Sequence, residues 1–309
     1  MKNSKKLVLN LVDTIHIYFY IFREIIVNYI FYKLKLRRFL GRGRINNVSG
    51  ILSSDFYDKG IKHFNLISKT LIKNAPHLRR DRFLELGPGG TLLNGFMLTH
   101  SGWREYYAVD AFPSEVWSKY PQHLYHHYIN SLRKKNDRHN ANKILRTSMK
   151  SKGPLFYFSN GGVHGEGFAS KVKNNSVDFI YSWGVLEHIE NPKDIFDRCF
   201  SLLKSNGCSL HVIDFHPHTW HRFYKTHYFL AIPDWLWYLM YNKRGFINRL
   251  RASAYLNYAK SAGFSIKILK KEYSKSDISG YRKNFQKKFK KLKANDILTD
   301  RIYMLLTKP

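Results

Sequence analysis

Phe83-Leu84-Glu85-Leu86-Gly87-Pro88-Gly89-Gly90-Thr91 decides the fold of this chain. A short apolar run ends in an acid and then breaks into glycines. Tyr106-Tyr107-Ala108-Val109-Asp110 repeats the design, an apolar run closed by an acid. Apolar runs of this length between turn signals read as buried parallel strands. Glycines at the exit of the first strand let the backbone approach a ligand closely. Asp110, twenty residues past Gly90, is placed to accept hydrogen bonds from ribose hydroxyls. The pair reads as two strand ends that hold a nucleoside-like ligand.

A dinucleotide fold wants G-x-G-x-x-G, because a pyrophosphate must sit on the helix N-terminus. Here Leu92 occupies the third-glycine position and Glu85 precedes the first glycine. Glu85 repels a pyrophosphate but suits a ligand with an amino group or a cationic centre. The string resembles motif I of class I S-adenosylmethionine (SAM) methyltransferases, E/D-x-G-x-G. Downstream, Asn174-Asn175-Ser176-Val177-Asp178-Phe179-Ile180-Tyr181-Ser182-Trp183-Gly184-Val185-Leu186-Glu187-His188 is similar to that family's fourth strand and its S-x-x-V-L-E-H exit. Asn191-Pro192-Lys193-Asp194 then starts a helix, Asn206-Gly207 stops it after Lys204, and residues 208–214 read as the fifth strand. The resemblance spans about residues 60–309 and is strongest at 83–110 and 174–218.

The resemblance implies an α/β fold: a Rossmann-like, seven-stranded, mostly parallel sheet with helices on both faces. To this the sequence adds an N-terminal helical extension and an aromatic cap. We expect an N-terminal segment at 1–45 and a catalytic domain at 46–309, with an insert at 111–155 and the cap at 215–255. A helix is predicted at 54–75, a third strand at 155–158, a sixth from 264, and a seventh at 301–307. In the family the 54–75 helix packs over the cofactor pocket, where Tyr57 and His63 could touch it.

Residues 7–32 form a long apolar and aromatic run interrupted by Asp13, His16, Arg23, Glu24 and Asn28 and flanked by basic residues. Three readings compete: an interfacial anchor on an anionic membrane, a helix packed on its own domain or on a homodimer partner, and a membrane span. The chain carries 52 Lys+Arg against 22 Asp+Glu, a net charge of +30, which attracts polyanions. No RNA-binding module is recognisable, so nucleic acid is the weaker partner. Cys199 and Cys208 fit no zinc spacing and no disulfide framework, which points to a reducing compartment. The expected location is cytoplasmic, peripheral at the inner membrane face.

SAM is the implied cofactor. The residues matched to the family's binding positions are Glu85, Gly87, Gly89, Gly90, Asp110, Ser182 and Trp183. Asn160 stands where the family often carries an acid near the adenine, and Glu166 is its alternative. Methyl transfer to a hydroxyl needs a base at the ends of strands four and five. That selects His188, His216 and His218, with His218 first, His216 second, and Asp214 as orienter or wall. The stretches Ile213-Asp214-Phe215-His216-Pro217-His218 and Asn248-Arg249-Leu250-Arg251 resemble a methyltransferase subgroup often associated with bacterial surface-polysaccharide assembly. Pro217 stands where that subgroup carries an acid. The resemblance implies a small-molecule or glycan acceptor, a sugar hydroxyl or a lipid-linked intermediate. Arg249 and Arg251 could bind its carboxylate or phosphate, and Trp220 could stack on it. The ubiquinone-pathway O-methyltransferases place an E-x-x-E-H metal site at the fourth-strand exit, but here Gly184 replaces its first acid, and no metal is expected. RNA methylation and a catalytically silent SAM-fold protein are the rival readings.

Overall fold

The strands form because each predicted apolar run can bury both of its faces. In the computed structural model β1 (Arg82–Leu86), β2 (Glu105–Val109), β3 (Leu155–Phe158), β4 (Val177–Trp183) and β5 (Leu203–Asp214) lie parallel. With β6 (Ser265–Tyr273) and β7 (Thr299–Thr307) they make one seven-stranded sheet in the order β3-β2-β1-β4-β5-β7-β6. β7 runs antiparallel between β5 and β6. The structure describes residues 2–33, 54–89, 91–111, 122–149, 153–159, 161–216, 220, 223, 225–242 and 247–309.

Side chains alternate along a strand, so β1 sends Leu84 and Leu86 to one face of the sheet and Phe83 with Glu85 to the other. Against the Phe83 face pack α2 (Ser54–Asn74), α3 (Leu93–His100), α4 (Gln122–Ser131) and α5 (Lys135–Met149). Against the Leu84 face pack α6 (Glu166–Lys171), α7 (Pro192–Leu202) and α9 (Ala252–Ser261) through Phe168, Phe196 and Tyr255. The predicted insert therefore supplies two of the covering helices. The helix expected to run to Lys204 ends at Leu202 instead. Leu203 already pairs with Val177, and Asn206 takes the left-handed turn (φ 63°) inside β5. The edge strand β6 carries Lys267, Lys270 and Lys271, charges that discourage edge-to-edge pairing. Both cysteines are free and buried, and burial pushes the Cys199 thiol up to about 12.

A third core joins the N-terminus to the cap. Ile17, Tyr20 and Ile21 of α1 (Lys2–Lys33) pack with Trp220, Phe223 and with Trp237 and Met240 of α8 (Asp234–Tyr241). Among the described residues no helix is long and apolar enough to cross a membrane.

One short stretch clasps the cap to the sheet. The Asn248 side chain donates to the carbonyls of Leu186 (3.0 Å) and Ile189 (2.7 Å), fixing the loop after β4. Arg249 donates to the carbonyls of Phe229 and Ile232 and to Asp234. Arg251, 2% exposed, donates to the carbonyls of Phe215 (3.0 Å), Ile297 (2.5 Å) and Thr299 (2.5 Å). Burial lowers the guanidinium of Arg251 only to about 10, so it stays cationic at neutral pH. Arg251→Leu strips three buried carbonyls of their donors. Urea unfolding of that variant is expected to show a loss of about 3 kcal/mol or more. A loss under about 0.5 kcal/mol, typical of surface substitutions, would rule out the clasp.

Candidate functional site

The register brings Gly87, Asp110, Ser182, Trp183 and Asp214 to one edge. Leu86 lies beside Val109 and Ser182, and Trp183 beside Val212, so the exits of β1, β2, β4 and β5 line up. Gly87 donates its N–H to the Val109 carbonyl (2.8 Å), and Asp110 donates to that of Phe158 (2.9 Å). Gly87 has φ 63°, and a Cβ there would lie 2.5 Å from a Val185 methyl, so only glycine lets the two strand exits pass. Gly89 has φ 72°, and among the described residues a Cβ there would meet nothing within 4 Å. The backbone at Gly89 thus carries no side chain and adopts the positive φ that a ligand cradle requires. Leu92, at the far end of the loop, donates its N–H to the hydroxyl of Tyr125 on α4 (3.2 Å). Gly90 and Asn160 lie outside the described residues.

Glu85 is buried on the face covered by α2 and α3. Its carboxylate accepts from the Tyr106 hydroxyl and from the Asn94 amide (3.2 Å). Burial raises its carboxyl to about 7 despite these two bonds. Beside it, the Asn94 carbonyl oxygen and the Tyr181 hydroxyl are buried with no hydrogen-bond partner among the described residues. Unmatched acceptors next to a carboxylate fit a ligand that brings an ammonium group.

Ser182 and Trp183 are neighbours in sequence, but strand alternation separates them. The Ser182 hydroxyl is fully buried and bonds His211 Nδ1 on β5 (2.8 Å). Ser182 therefore serves the sheet's interior. Trp183 shares the Glu85 face. The His63 ring from α2 stacks on it at 4.3 Å, and Tyr303 of β7 meets it edge-on at 5.8 Å. Burial, with Lys62 and Lys59 nearby, lowers His63 to about 4, so its imidazole is neutral at physiological pH.

At the exit of β5, Asp214 accepts the backbone N–H of His216 (2.8 Å) and a bond from Arg301 (2.9 Å). Arg301 also pairs with Glu272 (3.1 Å), and its guanidinium carbon sits 5.8 Å from the Trp183 ring centre. Its partners hold Arg301 above its ordinary value. Asp214 thus acts as an anchor for the turn that carries His216. His218 lies outside the described residues.

The expected substrate residues are placed elsewhere. Arg251 has its donors committed to the clasp. Arg249 does too, although it borders a cleft of about 710 Å³ with Asn191, Trp235, Tyr238 and Lys288. Trp220, 1% exposed, packs against Tyr20 and Phe223 at 5.3 Å each, so no sugar face can reach it as it stands. Sequence reasoning assigned no site role to Arg301, Glu272 or Tyr303. They sit on β6 and β7, and no motif marks them; only the antiparallel return of β7 beside β5 brings them to the edge.

This fold, with glycines and acids at its strand exits, defines a nucleoside-binding α/β enzyme. A family model described as a methyltransferase domain matches residues 60–267. The chain belongs to that methyltransferase family, and its methyl donor is SAM. No curated protein matches it by sequence. Among solved structures it is similar to YcgJ from Bacillus subtilis, with 14% identity over 79% of this chain and 97% of that one and a TM-score of 0.42. It is also similar to phosphoethanolamine N-methyltransferase 2 from Haemonchus contortus in complex with SAM, at 16% identity and a TM-score of 0.47. That match covers 89% of this chain and 60% of the other. A putative sarcosine dimethylglycine methyltransferase from Galdieria sulphuraria shares 12% identity over 80% of this chain and 86% of that one, with a TM-score of 0.44. These are likenesses of fold and carry no acceptor to this chain.

Because burial raises Glu85, the folded chain binds that proton more tightly than the unfolded chain. Its contribution to stability is full below the unfolded value of 4.5 and is lost as pH rises through about 7. Glu85→Gln is expected to flatten this loss, a change on the order of a few kcal/mol, in denaturant midpoints taken across that window. An unchanged pH profile would show that the carboxyl is not desolvated.

Proposed function

We propose that this methyltransferase acts on a hydroxyl of a sugar, on a glycan or lipid-linked intermediate presented at the inner face of a membrane. The observation that carries the reading is the single sheet edge along which the glycine loop, Trp183, Asp214 and His216 lie. SAM supplies a methyl group already activated on a sulfonium, so the chain's own work is to bind, align and handle a proton.

Glu85, with the unmatched Asn94 and Tyr181 oxygens beside it, receives the ammonium end of the donor. Gly87, Gly89 and Gly90 give its middle a backbone without side chains. Asp110, at the exit of β2, accepts from the ribose hydroxyls, with Asn160 toward the adenine. Trp183, with the neutral His63 stacked on it, offers an aromatic wall to the donor's sulfonium.

A hydroxyl acceptor must lose a proton, and histidine titrates in the range that suits this. The bond from His216 N–H to Asp214, itself held by Arg301, fixes the backbone of His216 at the exit of β5. His218 is the first candidate base and His216 the second. The segment's resemblance to the polysaccharide-associated subgroup and the basic surface of the chain support a glycan acceptor over other hydroxyl compounds.

Isothermal titration with SAM is expected to give one site per chain. Asp110→Ala should weaken that binding about tenfold or more; unchanged affinity would refute the ribose role. His218→Ala should lower turnover on the order of a hundredfold with SAM affinity kept. Equal loss in both would remove it as base. Transfer of labelled methyl is to be screened against sugar, glycan-lipid and amine acceptors. Labelling confined to amines would overturn the hydroxyl reading.

A further inference from the structure

Helix α1 packs one apolar stripe on the cap, buries its acids there too, and leaves a second apolar stripe open. A surface helix turns its charged residues outward and its apolar stripe inward. Here the two carboxylates and the amide that interrupt the apolar run all face the protein. Asp13, Glu24 and Asn28 are 8%, 2% and 4% exposed. Asp13 accepts the Lys225 backbone N–H (2.9 Å). Asn28 donates to the Leu239 carbonyl (2.6 Å) and to the Asn242 side chain (2.8 Å). Tyr20 bonds Tyr241 (3.0 Å).

The opposite stripe is apolar and open. Ile15, Phe19, Phe22, Ile26, Tyr29 and Ile30 recur at steps of three and four and are each 40–67% exposed. Packed beside α1, α8 also exposes Trp235 (65%), Tyr238 (49%) and Leu239 (46%). Patches of this size are uncommon on a monomer in water and mark a covered surface.

Charge identifies the cover. The ionic side chains exposed along the described part of α1 are Lys33 and Arg23, both cationic, the latter paired at 2.9 Å with the inward-turned Glu24. The chain as a whole carries +30. An aromatic and aliphatic stripe with cationic flanks fits the interface of an anionic bilayer, where Tyr and Trp sit at headgroup level. A second copy of the chain would bring a like charge to the same face, which opposes pairing.

We propose that the outer stripe of α1, extended by the aromatic residues of α8, is a docking surface for an anionic lipid bilayer. It deepens the reading of a membrane-presented acceptor by naming the surface and the lipid charge. α1 is bonded into the cap through Asp13, Tyr20 and Asn28, so docking seats the whole catalytic body on the bilayer instead of tethering it.

The test is cosedimentation of the full chain with vesicles of equimolar phosphatidylcholine and phosphatidylglycerol, and with vesicles of phosphatidylcholine alone. Wild type should sediment with the anionic vesicles, less with the neutral ones, and less as salt rises. The double variant Phe19→Ser with Phe22→Ser should bind the anionic vesicles about tenfold more weakly or worse. Ile72→Ser, an equally exposed apolar residue on α2, should bind as wild type does. SAM titration of each variant reports folding. It also keeps this proposal separate from the acceptor reading, since no acceptor is present. Equal vesicle binding by the double variant, or no binding by wild type, overturns the proposal. So does a wild-type dimer in analytical ultracentrifugation that the double variant loses, because a second copy then covers the stripe.

Discussion

The arrangement depends on the burial of Arg251. A guanidinium taken out of water is costly unless every donor is matched, and here the matches are carbonyls from two distant places in the chain. Phe215 lies where β5 ends, and Ile297 and Thr299 lie where β7 begins. One cation thereby ties the exit of β5 to the entry of β7, with Asn248 and Arg249 holding the β4 exit and the cap in the same stretch. The edge that receives the donor is shaped by this clasp, because Asp214 and Arg301 face each other across the β5–β7 pair.

On the other side of the sheet the constraint is desolvation. Glu85 lies among Tyr106, Tyr181 and Asn94, where ionisation is unfavourable without a donor. A ligand that brings a positive centre relieves that penalty, while a pyrophosphate would add to it. The methyltransferase family is consistent with this electrostatics, and the dinucleotide alternative is not. His63 follows the same rule in reverse: burial and two lysines keep it uncharged beside Trp183.

The sheet was legible because its information is local. The runs at 83–86, 106–109, 177–183 and 208–214 fall inside the strands observed, and Gly87 was readable as a strand exit that needs glycine before its positive φ and its closeness to Val185 were visible. The polar residues of the site were read less well. Ser182 follows the same motif as Trp183, but a one-residue step along a strand changes the face, and its hydroxyl serves His211. Arg249 and Arg251 looked like anion binders because an exposed arginine and a buried one have the same letter. Helix α1 shows the same limit: Asp13, Glu24 and Asn28 argued against a membrane span, but which way they point could not be read from their spacing alone.

The sequence by itself determined the seven-stranded architecture, the nucleoside-binding strand exits and the class of donor. The strand exits follow from apolar runs, glycine positions and acid spacing, which act over a few residues, and the architecture and donor follow from the family those motifs resemble. Only the tertiary structure decided what each buried polar group does. Asn28 meets Leu239, and Arg251 meets Thr299, across long stretches of chain. The free energy of a buried polar group is set by its partner, and the partner exists only once the chain has closed.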